Sequence, residues 1–356
     1  MHRPLAPKLA VGLDIGSNAI KIIQLKEDRK GIHLQAFDMA TLPPETVVDG
    51  ALANFTAVVD RLKELVSANK IRNKNVCISV SGHSVIVKKI SLPSMTAQEL
   101  DESIQWEAEQ YIPFDIKDVN VDVQIINPNA GQEQMDVLLV AAKKDVLEDY
   151  LSVVTEAGLK PVVVDVDTFA IQNMFELNYG FPPNETVTLL NVGDSVININ
   201  VVADGITTFT RDISMGGALL TQEIQRQLSV THEEAEHYKT AGAANITNSS
   251  IAREVQSLSE KVSYQLTTEI QRSLDFYAAT TVNADVSRIC VSGGSAQIPS
   301  FIRSLEQNLE VPVELVNPFK NIILDAKKFD VDLLQRMAPI AAVSVGLGLR
   351  RQGDKA

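Results

Sequence analysis

The sequence predicts a two-lobed α/β fold in which a smaller subdomain is inserted into the first lobe. The two lobes are predicted from a thirteen-residue segment that occurs twice, as LDIGSNAIKIIQL from Leu13 and as LNVGDSVININVV from Leu190. Each copy has a strand, a glycine turn and a second strand, which is typical of a β-hairpin. The copies start about half of the 356-residue chain apart. A strand, helix, strand, strand pattern at residues 84–142 predicts the insert.

The turns of the two hairpins share a glycine followed by small polar residues. These are Gly16, Ser17 and Asn18 in the first copy and Gly193, Asp194 and Ser195 in the second. Such turns direct backbone N–H groups into one concavity that binds a phosphate oxygen. A single hairpin of this kind is also an ordinary turn, but the recurrence in the same order favours a binding role. We therefore expect the hairpins to hold one polyphosphate from both sides, with Asp14 ordering the hydration shell of Mg²⁺.

The remaining elements follow in an order that suits this plan. In the first lobe we predict a strand at 31–42, a helix at 51–68 and a strand at 75–80. In the insert we predict a strand at 84–92, a helix opened by a capping box of Thr96 and Glu99, and strands at 119–126 and 135–142 around a turn at 127–133. The first lobe then resumes with a helix at 144–157, a strand at 161–166 and a helix at 168–179.

The proline-rich segment at 181–185 marks the boundary between the lobes. Beyond it we predict a strand at 206–213, helices at 222–228, 232–240 and 254–280, a strand at 288–291 and a final helix at 332–351. The predicted domains are 1–83 and 143–185 for the first lobe, 84–142 for the insert, 186–215 and 281–331 for the second lobe, 216–280 for a helical subdomain, and 332–356 for a return to the first lobe.

Composition narrows the class of function. Hydrophobic residues make up 45% of the chain and charged residues 22%, as in a globular protein with substantial cores. The net charge of −13 argues against a nucleic-acid binder, because such proteins neutralise phosphates. Cys77 and Cys290 lie in strand-like runs without metal-ligand spacing, so we expect reduced core thiols and a cytosolic location. The amino-terminal residues lack a signal-peptide pattern, and the apolar run at 338–349 is too short to span a bilayer.

In this order, the motifs resemble the actin, sugar-kinase and heat-shock ATPase superfamily, whose fold is two-lobed and ribonuclease H-like. The position of the insert resembles that in the cell-division protein FtsA. The runs SLPSMTAQELDESIQWEAEQYIPFD, VVVDVDTFAIQN, GGALLTQEIQRQLSVTHEEAEHYK and VSGGSAQIPSF are similar to those of the PilM family of type IV pilus assembly proteins. The resemblance covers the whole chain. It implies an actin-like fold with an FtsA-type insert, and ATP with Mg²⁺ as the ligand.

The resemblance also implies roles for individual residues. The first phosphate loop would contain Asp14, Gly16, Ser17, Asn18 and Lys21, with Asp14 also serving the metal, and the second would contain Gly193 and Ser195. Gly216 and Gly217 would approach the phosphates, Glu236 and Lys239 would contact the ribose and adenine, and Gly293, Gly294 and Ala296 would approach the nucleoside. Asp167 would orient the attacking water.

Some of these residues have other interpretations. Lys21 could be a solvated residue of a strand edge, and Glu236 with Lys239 could be a surface ion pair, since they lie three apart on a helix. Asn191 stands where the superfamily usually has Asp. Its amide cannot carry the negative charge that helps to organise Mg²⁺ and the attacking water, so we expect nucleotide binding with slow or no hydrolysis.

Taken together, the sequence predicts an ATP-binding, actin-like scaffold in the cytoplasm. The resemblance implies a partner, the amino-terminal cytoplasmic tail of the inner-membrane protein PilN, which would hold the chain at the membrane. The tail would bind between the first lobe and the insert, where strands at 85–90 and 119–126 could offer an edge. Trp106 lies off the apolar face of its helix and could face a groove or a partner.

Two other functions remain open at this point. One is a small-molecule kinase on the same fold, although no cluster of sugar-binding residues is evident. The other is a filament-forming membrane tether like FtsA, which the lack of an amphipathic tail disfavours. Self-association also stays open.

Overall fold

The computed structural model describes residues 8–131, 133–281 and 284–354. The first lobe opens with β1 (Val11–Ile15), β2 (Ala19–Asp28), β3 (Gly31–Thr41), β4 (Val47–Val48), β5 (Ala51–Leu52), α1 (Phe55–Ala68) and β6 (Asn75–Val80). The insert follows as β7 (Val85–Pro93), α2 (Ala97–Ala108), β8 (Val119–Gly131) and β9 (Gln134–Lys143). The first lobe resumes with α3 (Lys144–Glu156), β10 (Lys160–Val166) and α4 (Asp167–Asn178).

The second lobe begins with a hairpin and a third strand and continues through helices. Its elements are β11 (Thr186–Val192), β12 (Ile197–Ala203), β13 (Ile206–Ile213), α5 (Ala218–Leu228), α6 (His232–Ala241), α7 (Ser249–Thr280), β14 (Arg288–Ser292), α8 (Pro299–Leu309) and β15 (Val313–Leu315). The chain then forms β16 (Ile322–Ile323), α9 (Val331–Met337) and α10 (Ala342–Gly348). Short 3₁₀ helices lie at Ile116–Asp118, Ala243–Asn245, Gly294–Gln297 and Ala338–Ala341.

The two main sheets have the same core arrangement. In the first, of order β10-β6-β1-β2-β3-β16, β1 pairs with β2 in an antiparallel hairpin and with β6 in parallel. In the second, of order β13-β12-β11-β14-β15, β11 pairs with β12 in an antiparallel hairpin and with β14 in parallel. The repeated segment therefore forms equivalent hairpins in two similar lobes, and the predicted fold class is confirmed. The insert has its own sheet, of order β7-β9-β8, covered by α2.

The carboxyl-terminal helix α10 connects the two halves. All its residues are buried, and it packs between α4 and β1. Glycine makes this packing possible, because a Cβ on Gly346 would lie 1.7 Å from the carbonyl oxygen of Ala170. The core around α10 includes Phe175 of the first lobe and Leu189 of the second. One continuous core therefore supports both lobes, which positions the two hairpins relative to each other.

Several predicted boundaries were wrong. The expected single helix at 332–351 is two helices separated by a 3₁₀ turn at Pro339, because proline lacks the N–H that a continuous helix requires. Helix α1 starts at Phe55 instead of 51, since Asn54 caps it. Helix α7 starts earlier than predicted, at Ser249, where Asn248 is the cap. The predicted turn at 127–133 is mostly strand, with residue 132 outside the described residues.

Candidate functional site

A cleft of about 820 Å³ lies between the two hairpins. The turns face each other directly, because the Ser195 hydroxyl donates to Ser17 Oγ at 2.8 Å. The predicted site residues that line the cleft are Asp14, Gly16, Ser17, Asn18, Lys21, Asp167, Asn191, Gly193, Ser195, Glu236, Lys239, Gly293 and Gly294. The other three, Gly216, Gly217 and Ala296, lie behind its wall. The fold thus gathers most of the predicted site in one place.

A carboxylate and an ammonium group stand together at the first hairpin. Asp14 and Lys21 are opposite each other in the β1–β2 register, and Lys21 Nζ lies 3.1 Å from Asp14 Oδ2. The Lys21 side chain is only 16% exposed and belongs to an inner strand of its sheet, so it is not a solvated edge residue. A Cβ on Gly16 would lie 3.2 Å from Lys21 Nζ. Glycine therefore leaves the ammonium group room beside the turn.

The second hairpin carries a chain of amide and carboxylate groups in place of the expected Asp. Asn191 Nδ2 donates to Asn198 Oδ1 at 2.9 Å, and Asn198 Nδ2 donates to Asp212 Oδ1 at 2.9 Å. The other Asp212 oxygen accepts from the Gly82 N–H of the first lobe at 2.6 Å. The three side chains occupy paired positions on β11, β12 and β13. A carboxylate is therefore present two strands away from position 191, and it links the lobes.

The sequence interpretation missed Asp212. Burial raises its pKa, while the hydrogen bonds from Asn198 and Gly82 lower it. The available signal was the run ININ at 197–200, since Asn198 and Asn200 are buried amides inside a strand. Buried amides need hydrogen-bond partners, which indicates a polar network across that face of the sheet.

Asp167 lies at the cleft where α4 begins. It accepts a hydrogen bond from Ser79 Oγ at 2.5 Å. Burial, followed by the negative charge of Asp14, raises the pKa of Asp167 to about 7. A carboxyl group with a pKa near neutrality can change its protonation state under physiological conditions, as a group that handles a water proton must.

Glu236 and Lys239 form an ion pair that is largely buried. Lys239 Nζ lies 2.5 Å from Glu236 Oε1, and the side chains are 10% and 22% exposed. The same ammonium group contacts Thr221 Oγ1 at 2.8 Å and Asp194 Oδ1 at 3.3 Å. A simple surface pair would not make these contacts. Through Asp194, helix α6 is joined to the tip of the second hairpin.

The glycine pair at the start of α5 supports the second turn from behind. The Gly217 N–H donates to the Gly193 carbonyl at 3.0 Å, and the Ala218 N–H donates to the Asp194 carbonyl at 2.8 Å. A Cβ on Gly216 would lie 2.5 Å from both of those carbonyl oxygens. The first N–H groups of α5 are therefore directed at the hairpin. Gly216 and Gly217 therefore stand behind the second turn, and their approach to the phosphates stays a prediction.

Glycines form the cleft wall beside the second hairpin, where β14 ends next to β11. Gly293 has φ +95°, and a Cβ there would lie 2.4 Å from the Val192 carbonyl oxygen, so a side chain is excluded. Gly294 lines the cleft, and a Cβ on it would meet no heavy atom within 4 Å. Ala296 follows in the 3₁₀ turn and is buried. This wall is flat backbone that a planar group could approach closely.

Half-buried apolar residues of the insert and α3 pack against the core of the first lobe and form a strip that we call the insert groove. Its residues are half-buried and come from β7, β9 and α3: Val85, Val87, Val140, Leu147 and Leu151. Acidic residues of α3 lie beside it, and burial together with the charges of Asp145 and Glu148 raises the pKa of Asp149. The Thr210 hydroxyl of β13 donates to the Val87 carbonyl at 2.8 Å, so the second lobe touches the groove.

Two further observations concern the surface. Trp106 is 67% exposed on the outer side of α2, as its position off the apolar face predicted. Within the described residues, helices that are both long and apolar enough to cross a membrane are absent.

Known proteins share this architecture. The family described as type IV pilus assembly protein PilM matches residues 12–352. A chain of the PilM–PilN type IV pilus biogenesis complex is 29% identical with a TM-score of 0.83, over 96% of this chain and 98% of that chain. The ethanolamine utilization protein EutJ from Carboxydothermus hydrogenoformans is 16% identical with a TM-score of 0.58, over 98% and 91%, and supports the fold alone. The chain therefore has the two-lobed actin-like fold and belongs to the PilM family of type IV pilus assembly proteins.

Proposed function

We propose that this protein is a cytoplasmic, ATP-binding scaffold of type IV pilus assembly that holds the amino-terminal tail of PilN. Family membership supports the assembly role, and the similar solved chain comes from a PilM–PilN complex. The observation that carries the proposal is the pair of facing hairpins beside an insert whose groove the second lobe touches. The family assignment favours this function over the small-molecule kinase and the filament-forming tether.

The residues of the cleft fit a nucleotide with a divalent cation. The Gly16 and Gly193 N–H groups close their turns, so the N–H groups that follow them, together with the Lys21 ammonium group, would donate to phosphate oxygens. Asp14 Oδ2 pairs with Lys21, and we assign its other oxygen to the metal hydration shell. The bare backbone at Gly293 and Gly294 suits a planar base, with Glu236 and Lys239 toward the ribose and adenine. Bound Mg²⁺ would supply charge neutralisation between the phosphates. The cleft wall would be supported from behind by three further residues, Gly216, Gly217 and Ala296.

We expect weak or no ATP hydrolysis. Asn191 is neutral, its amide is already engaged with Asn198, and the carboxyl group that ends this hydrogen-bond chain lies two strands away on Asp212. Phosphoryl transfer depends on positioning and charge at the reacting atoms. Asp167 remains our candidate for orienting water, because its pKa near 7 suits that task. ATP would then serve as a structural ligand whose differential affinity stabilises one arrangement of the lobes.

The insert groove suits an extended tail with apolar and basic side chains. Val85, Val87 and Leu147 provide apolar contact, and the acidic residues of α3 would attract a lysine or arginine. β7 and β8 are the outer strands of the insert sheet, so a tail could also add main-chain pairing. Near Val87 the outer edge of β7 already meets Thr210, which makes β8 the more open of the two edges.

Two binding measurements test the proposal. Titration calorimetry with ATP and Mg²⁺ should show binding to the wild-type chain, and fluorescence anisotropy should show micromolar or tighter binding of a labelled PilN amino-terminal peptide. A chain that binds ATP but no tail from any inner-membrane pilus protein would refute the scaffold role while leaving the nucleotide site intact.

A further inference from the structure

A cluster of positive charge lies at the end of the first lobe away from the cleft. We call it the basic end, and it consists of the exposed residues Lys63, Lys70, Arg72, Lys74 and Lys160. The first four line one open cavity of about 420 Å³, whose described lining contains no acidic residue. Lys160 lies next to Lys74, since the Lys160 N–H donates to the Lys74 carbonyl at 2.7 Å.

Two acidic residues adjoin the basic end in sequence, Glu64 and Glu156, and Glu64 is paired with Arg61. None of the five side chains of the basic end forms an ion pair within the described ranges, in a chain whose net charge is −13. The cavity also has an apolar floor, to which Val66 and Ile71 contribute. Cations around an apolar floor suit a ligand that has both a phosphate group and an apolar part.

The turn at the end of α1 fixes the position of Lys70 in the basic end. Helix α1 ends in a Schellman-type turn, in which the Ile71 N–H donates to the Val66 carbonyl and Lys70 adopts φ +51°. Glycine is the favoured residue at this left-handed position, because a Cβ there is strained by roughly 1 kcal/mol. Ser229 and Glu310 adopt the same left-handed conformation after α5 and α8, so this chain accepts side chains at such positions, and the turn at Lys70 holds a cation at the rim of the cavity.

The basic end lies far from the nucleotide site. The parallel strands β1, β6 and β10 finish at the cleft, and the basic end is where α1 and α3 finish and β6 and β10 begin. The cations of the basic end are therefore too far away to contact a phosphate that is held between the two hairpins. The insert groove also lies elsewhere, because β7 starts just after the cleft end of β6.

We propose that the basic end binds the headgroups of anionic phospholipids and so holds the first lobe against a membrane surface. Lysine and arginine clusters bind anionic bilayers because each cation is attracted by the negative surface potential. A membrane suits this patch better than nucleic acid does, since the cluster is compact and surrounds an apolar floor. This contact is separate from the proposed PilN site and requires no partner.

Vesicle flotation of the full chain tests the proposal. The probes are vesicles of equal parts phosphatidylglycerol and phosphatidylcholine, compared with pure phosphatidylcholine. We expect binding only to the anionic vesicles, and a decrease as salt is raised. Lys70→Gly should lower the partition coefficient roughly fivefold while relaxing the backbone, since one cation near the surface contributes about that much. The triple variant Lys70→Glu, Arg72→Glu, Lys74→Glu should lose binding.

A matched control separates the basic end from general charge. Arg253→Glu, Arg303→Glu, Lys327→Glu makes the same charge change at exposed positions outside the basic end and should keep vesicle binding. Equal binding to neutral vesicles, or equal loss in both triple variants, would overturn the proposal. So would a higher affinity for short duplex DNA or for glycerol phosphate in solution than for the vesicles. ATP titration of each variant confirms that the fold is retained.

Discussion

The raised pKa of Asp167 predicts how the stability of the nucleotide-free protein depends on pH. In the folded chain this carboxyl group has a pKa of about 7, against 3.8 for an unperturbed Asp, because of burial and the charge of Asp14. Between these two values the folded state holds one proton more than the unfolded state. The free energy of unfolding therefore falls as pH rises, by about 1.4 kcal/mol per pH unit. The stabilisation that Asp167 contributes is complete below its unfolded pKa of 3.8, and it disappears as the pH rises past its folded pKa of about 7.

From about pH 5 to about pH 8 the loss from Asp167 alone amounts to roughly 2–3 kcal/mol. Asp167→Asn preserves the shape and an acceptor for Ser79 but cannot titrate. Urea unfolding of both proteins at a series of pH values measures the effect, because distant titrating groups cancel in the difference and leave Asp167 with the neighbouring Asp14 and Asp212. The wild type should lose stability relative to the variant as pH rises. Parallel pH profiles for the two proteins would refute the raised pKa and the environment assigned to Asp167.

The remaining predictions concern the cleft. Asp14→Ala and Gly293→Val should each abolish ATP binding in calorimetry. The first removes the carboxylate beside the phosphate loop, and the second places a side chain 2.4 Å from the Val192 carbonyl oxygen. Unchanged ATP affinity in both variants would disprove the site. Wild-type phosphate release should be far slower than about 10 s⁻¹. Asn191→Asp with Asp212→Asn should raise release more than Asn191→Asp alone, because the double variant moves the carboxyl group to the hairpin and keeps an intact hydrogen-bond chain. Equal rates in the two variants would contradict this role for Asp212.

Local sequence patterns were sufficient for the hairpins and the insert. A glycine turn between two apolar strands fixes its own register, so Asp14 and Lys21 could be expected on paired positions once the hairpin was recognised. The capping box at Thr96 and Glu99 likewise forms within four residues and was predicted correctly. The gathering of most site residues followed from the repeat, because similar lobes place their hairpins in similar positions.

Contacts between distant elements could not be predicted in this way. Asp212 joins the site through two side chains on neighbouring strands, and it meets Gly82 130 residues away in sequence. The position of Gly216 behind the second turn depends on how α5 docks, which the glycine pair alone does not specify. The break at Pro339 was visible in the sequence, but the apolar run around it resembled one continuous helix.

Binding of the PilN amino-terminal peptide to this chain tests the central claim most directly. We expect a labelled peptide to bind with micromolar or better affinity in fluorescence anisotropy. Val87→Asp in the insert groove should weaken binding at least about tenfold, because it places an unpaired charge on an apolar contact, while ATP affinity is preserved. Leu315→Asp, at a position 47% exposed on β15, is the matched control and should bind like the wild type. No binding by the wild type, or equal binding by all three proteins, would contradict the account.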